Sequence, residues 1–145
     1  MTDTALLDNV LADKAVETFD ALVDRIDPQL AHQAVGQLSV ALGALAVVAP
    51  RSTAGLFGVR SVDKAVPLLV RMVGVRNALA GVRTLNADGD DLGRALRAGL
   101  VLGAVDATAV VLTARSGAIT KKAAAGLLLV LGSIAVLGVA ASRGE

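Results

Sequence analysis

Residues 123–142 read AAAGLLLVLGSIAVLGVAAS, twenty positions without a charge. At about 1.5 Å of rise per residue, roughly 20 residues cross a hydrocarbon core about 30 Å thick. The segment is apolar on every side, as a helix surrounded by lipid must be. It predicts a membrane span, and the composition agrees. Of the whole chain 54% is hydrophobic and only 19% charged, with a mean hydropathy of +0.67, more apolar than a soluble domain of this length can bury.

Moving outward, three further segments have the same character and none has a strand pattern. Residues 95–114, ALRAGLVLGAVDATAVVLTA, form a span with Asp106 near its middle. Residues 34–49 form a shorter one, extendable toward its N-terminus, and residues 65–85 a fourth. The connections carry stop and start signals. Pro50 ends the 34–49 span, a basic, glycine-containing loop follows over residues 51–64, and Pro67 suits a first helical turn. LNADGDDLG is an Asp-Gly turn with Asp88, Asp90 or Asp91 as N-cap, and RSGAITKK is a tight basic turn. The expectation is an all-α chain, a four-helix transmembrane bundle over residues 34–145.

Residues 1–33 form a separate unit. They hold seven acids against Lys14 and Arg25, whereas the remainder holds twelve Lys or Arg against six acids. Ala12, Ala15, Val16, Phe19, Leu22, Val23 and Ile26 recur at three and four residues, with Asp13, Glu17, Asp20, Asp24 and Asp27 beside them. This predicts an acidic amphipathic helix ending near Pro28. Interfacial helices usually present a basic face to anionic lipid. An acidic one is better suited to its own bundle, a second copy or a basic partner, engaged through residues 5–27. The first residues lack the basic region and cleavage site of a secretory signal.

The 65–85 span contains a puzzle: VRMVGVRNALAGVR, residues 70–83, places Arg71, Arg76 and Arg83 in an apolar helix. Each mid-membrane Arg costs roughly 2.5–3.5 kcal/mol, while each Leu, Ile, Val or Phe returns about 0.3–0.6. The segment's roughly eight aliphatics therefore do not offset two arginines. Asp106 leaves its own span marginal for the same reason. The two spans are expected to insert together as mutual counter-charges. Arg71 and Asp106 lie equally far from a turn centred between Asp88 and Gly89. Each also shares a helix face with small residues: Gly74, Ala78 and Gly81 for Arg71, and Gly99 and Gly103 for Asp106. Since such faces let membrane helices approach closely, an Arg71–Asp106 pair across a tight interface is predicted. Arg76, about 140° around the helix, is left to face another helix, a polar cavity or a headgroup. Asn77 adds an amide beside it, Gln37 and Ser39 could complete a polar cluster, and Arg83 snorkels to the interface.

The run LGALAVVAPRSTAGLFGV, then VPLLVRMVGVRNALAGV and GAVDATAVVL, resembles a family of small four-helix bacterial integral membrane proteins of unknown function, loosely similar in layout to the DoxX-like proteins. The resemblance covers roughly residues 35–142 and omits the acidic helix. It implies a bacterial inner-membrane location and singles out Arg71, Gly74, Arg76 and Asp106, without implying a reaction.

Absent motifs narrow the function. No nucleotide-binding loop, zinc-protease motif or CxxC is present, cysteine is missing altogether, and the single His32 completes no catalytic or metal set. Hence no enzyme, metal or cofactor is expected. Two Phe and no Tyr or Trp offer no stacking platform for bases, so nucleic acid is not expected as a partner. The lipid bilayer is. Basic loop residues are spread almost evenly over the two sides, leaning slightly to both termini outside. Two functions remain open: an accessory or structural membrane protein, monomeric or oligomeric, with an architectural ion pair, or a membrane-embedded binding or transport module in which Arg76 and Asn77 contact a polar, anionic or lipid-like ligand.

Overall fold

The computed structural model describes residues 3–57, 59 and 65–144. Residues 58 and 60–64, within the basic loop, and the side chains of residues 5–12, part of the expected interaction surface, lie outside that description. Among the described residues there are six helices and no strand: α1 Asp3–Val23, α2 Pro28–Val48, α3 Pro50–Leu56, α4 Ala65–Leu85, α5 Gly89–Arg115 and α6 Lys121–Ser142.

Local chemistry explains where these helices begin. The Asp27 carboxylate accepts from the backbone N–H groups of Gln29 at 2.8 Å and Leu30 at 3.1 Å, and Pro28 occupies the first turn. That cap starts α2 six residues before the expected 34, so the boundary drawn at 33 falls inside a helix. A second difference is α3, expected as loop. Pro50 restarts the helix after the non-helical Ala49, and the Thr53 hydroxyl reaches the carbonyls of Leu45 at 3.1 Å and Ala49 at 3.0 Å, tying α3 to the end of α2. Gly89, at φ +49°, and Gly117, at φ +76°, make the reversals before α5 and α6 in a region that L-residues avoid. Thr120 then caps α6 by accepting from the Ala123 N–H at 3.1 Å.

Four helices, α2, α4, α5 and α6, are long and apolar enough to cross a membrane, with mean hydropathies of 1.4, 1.4, 1.8 and 2.4 over their best windows. Their outward faces are hydrophobic: Leu68, Leu79, Val101 and Leu129 are each more than half exposed. Such continuous apolar surface belongs against lipid or protein rather than water.

The closest packing joins α2 to α4. A Cβ on Gly43 would stand 2.5 Å from the Ala78 nitrogen and 2.6 Å from the Gly74 carbonyl, and one on Gly81 would stand 2.6 Å from the Gly36 carbonyl. The pairs Gly36 with Gly81 and Gly43 with Gly74 run antiparallel, and backbone meets backbone. The Gly74, Ala78 and Gly81 stripe therefore packs on α2, not on α5 as its position in the chain predicted. α6 packs on both α2 and α5, whereas α4 and α5 touch sparsely. A core of Val23, Ala31, Val35, Ala87, Leu92, Leu96, Ala140 and Ala141 closes the end where α1 finishes, α2 begins and α6 ends.

At that end the His32 Nε2–H donates to the Thr84 carbonyl at 2.7 Å, fastening the start of α2 to the end of α4. α1 meets the other helices through its own end. Val23 is buried, and Arg143, just beyond α6, donates to Asp20 at 2.5 Å and to Asp24. The hydrogen bond to Asp20 raises the Arg143 pKa above its ordinary value, opposed by desolvation and reinforced by the charge of Asp24. A raised pKa in a basic group means that the stabilising contact is fully present below the ordinary guanidinium value and fails only above it. Arg143 thus keeps its charge at every physiological pH. Val16, Phe19 and Leu22 stay exposed.

Two outcomes are expected. Gly43→Ala drives a methyl group into the α4 backbone and lowers unfolding stability by about 1–3 kcal/mol, whereas Gly99→Ala, with nothing within 4 Å of the new Cβ, changes it little; denaturant titration in mild detergent measures both. Arg143→Ala frees α1, so hydrogen–deuterium exchange over residues 13–23 accelerates, and high salt does the same to the unmodified chain through screening.

Candidate functional site

Because the small-residue stripe of α4 is committed to α2, the side of α4 that bears Arg76 and Asn77 turns toward α5. There the Arg76 guanidinium meets Asp106 in a two-pronged pair, Nη2 to Oδ2 at 2.5 Å and Nη1 to Oδ1 at 3.2 Å. Asn77 supports it from the same helix, its Oδ1 accepting from Arg76 Nε at 3.4 Å and Nη2 at 3.3 Å. A planar guanidinium suits this fork-to-fork arrangement, which fixes orientation as well as charge. The two charged side chains remain 36% and 31% exposed.

The expected Arg71–Asp106 contact does not form. Arg71 belongs instead to the face of α4 that packs on α2. Its Nε donates to the Val47 carbonyl at 3.1 Å. That oxygen is one of the last-turn acceptors of α2, left without a helical partner at the negative end of the helix dipole, where a cation is favoured. Arg76, five residues farther along α4, meets Asp106 because its side of the helix faces α5.

Gly99 and Gly103 were expected to pack against α4, and they do not: nothing lies within 4 Å of a Cβ built on either. They border a cavity of about 350 Å³ between α2, α4, α5 and α6, partly open to the outside. Its wall carries the Arg76, Asn77 and Asp106 cluster with Ser39 and Thr84, and is otherwise apolar, from Leu42, Leu96, Leu100, Leu128, Leu131 and Ile134. The Ser39 and Thr84 hydroxyls donate within their own helices, to Val35 at 2.7 Å and Ala80 at 3.0 Å. Gln37 is exposed on α2 and takes no part in the cavity lining. Arg83 is exposed toward the end of α4.

Sequence reasoning missed the contribution of α6, including Gly132 and Gly138. A helix apolar on all sides offers no periodicity to say which face turns inward. A second crevice, about 420 Å³, lies at the opposite end among residues 48–52, Pro67, Leu68 and Arg71. It holds Arg51 and Arg71 at its surface without the inward-facing polar cluster. A largely apolar cavity within the usual ~300–1,000 Å³ range, with a few convergent polar groups, is the stronger site. Comparison of the chain with family models, curated proteins and solved structures finds no match.

Removing one member of the pair tests its energetics. Asp106→Leu strands the Arg76 charge and is expected to cost roughly 2.5–3.5 kcal/mol of stability in a membrane-like environment, Arg76→Leu is also destabilising, and the double substitution recovers most of the loss. Arg71→Leu with Asp106→Leu gives no such recovery. Unfolding titrations of these four variants and of Arg71→Leu alone complete the two double-mutant cycles.

Proposed function

We propose that this chain is a non-enzymatic, multi-pass protein of the bacterial inner membrane, a transmembrane bundle of α2, α4, α5 and α6 that serves as a membrane-embedded binding module. Its likeness to the small four-helix bacterial membrane family named above belongs to this proposal. The observation that carries it is the cavity: the ion pair lines an open chamber instead of sealing a tight α4–α5 interface. A pair needed only for packing calls for close helices, and the helix faces beside Asp106 are separated by empty volume.

A second reading, an accessory protein that recruits another copy or a protein partner, is favoured by a different feature. α1 is anchored near Val23, Asp20 and Asp24, and leaves Val16, Phe19 and Leu22 exposed beside its acidic face.

Native mass spectrometry of the protein in mild detergent separates the two. The binding module predicts a discrete co-purifying mass that is lost on Gly103→Leu, which fills open space, and kept on Arg71→Ala. A bare homo-oligomer, unaffected by Gly103→Leu and losing subunits when residues 1–27 are deleted, would instead establish the accessory role.

A further inference from the structure

We propose that the occupant of the cavity is a neutral acylglycerol, a lipid whose head carries both an ester carbonyl and a free hydroxyl. This rests on the binding-module reading and names the chemistry of its ligand.

Charge selects against ionised heads. Among the lining residues only Arg76 and Asp106 carry charge, and they neutralise one another. An ionised head would sit without a counter-ion in an apolar chamber or would have to pull Asp106 away from Arg76. A neutral head meets neither obstacle.

Hydrogen-bonding capacity selects among neutral heads. A guanidinium has five N–H donors and a carboxylate about four acceptor positions. Arg76 directs its Nε–H and both Nη2 hydrogens, with one from Nη1, at Asn77 and Asp106, which leaves a single Nη1 hydrogen. Asn77 gives its carbonyl to Arg76 and keeps its NH₂ as a donor. Asp106 receives two hydrogen bonds and retains acceptor positions. The polar wall therefore offers donors beside acceptors. An ester carbonyl uses the donors and a hydroxyl the acceptors; a hydrocarbon uses neither, and a simple ketone or ester only the first.

The remaining wall takes the tail. Leu100, Leu128 and Leu131 supply hydrocarbon contact, and the space over Gly99 and Gly103 takes part of an acyl chain, the rest of the lipid lying outside the cavity. Sparse contact between α4 and α5 leaves a lateral route from the bilayer to the partly exposed pair. A lipid ligand can reach the site without passing through water.

The test places the full-length protein in phosphatidylcholine nanodiscs with a diacylglycerol that carries a diazirine in one acyl chain, followed by irradiation and peptide mapping. Labelling is expected on α5 and α6 around Gly103 and Leu131, competed by unlabelled dioleoylglycerol or monooleoylglycerol, whose relative potency tells which acylglycerol is preferred, and not by hexadecane. It falls in Gly103→Leu at unchanged melting temperature, and Asn77→Leu weakens probe binding about tenfold, as the loss of one hydrogen-bonded contact should. Equal labelling of these positions by a phosphatidic acid probe overturns the assignment. So does labelling spread over Leu79 and Leu129 and indifferent to Gly103→Leu. Should the diacylglycerol probe fail while a co-purifying mass is still lost on Gly103→Leu, the lipid class is wrong and the binding site stands; if that mass is missing too, the binding-module reading falls with it.

Discussion

Where Gly43 of α2 meets Gly74 and Ala78 of α4, no room exists for even a methyl group. Four glycines, Gly36, Gly43, Gly74 and Gly81, hold the two backbones in contact over several turns, and this contact settles the rotation of α4 about its own axis. Everything polar on α4 follows. Arg71, on the packed side, reaches the terminal turn of α2, while Arg76 and Asn77 are turned to the opposite neighbour. Apolar side chains alone would not enforce such an orientation in lipid, where hydrocarbon is as good a surrounding as another helix. Close backbone packing does enforce it, because only one face of α4 is flat enough.

The charged pair answers a constraint of a different kind. A lone arginine or aspartate at the middle of a membrane span is expensive, and α4 and α5, both of spanning length and apolarity, carry Arg76 and Asp106 near their middles. Facing each other, the two charges cancel across a gap that the helices themselves leave open. The result combines a fixed, neutral, hydrogen-bonding wall with free volume next to it, and glycines at residues 99 and 103 maintain that volume where larger side chains would fill it. α1 and its Arg143 clamp sit outside this arrangement, at the end where the core is densest, and contribute a surface rather than a cavity.

Much was legible in the chain. Spans are announced by length and hydropathy, turns by Pro50, Gly89 and Gly117, and the need for Asp106 to find an arginine by insertion energetics. Two things were not. The apolar run from residue 34 conceals the earlier start that the Asp27 cap gives α2, and α3 lies in a stretch whose proline signals an end as well as a beginning. Gly36 and Gly43 carried the missing signal for the partner of α4: seven residues apart, they match the spacing of Gly74 and Gly81.

The partner of Asp106 shows the division most clearly. Composition, periodicity and charge determined that this chain is helical, that four of its helices have the length and apolarity of membrane spans, and that an arginine of residues 70–83 must compensate Asp106. Tertiary packing decided which arginine, because counting residues away from a turn says nothing of helix rotation. Rotation depends on which neighbour claims the small-residue face, and α2 claims it through glycines distant in the chain. The same choice leaves Gly99 and Gly103 facing a cavity instead of a helix, since the Gly74, Ala78 and Gly81 face expected to meet them is already occupied by α2.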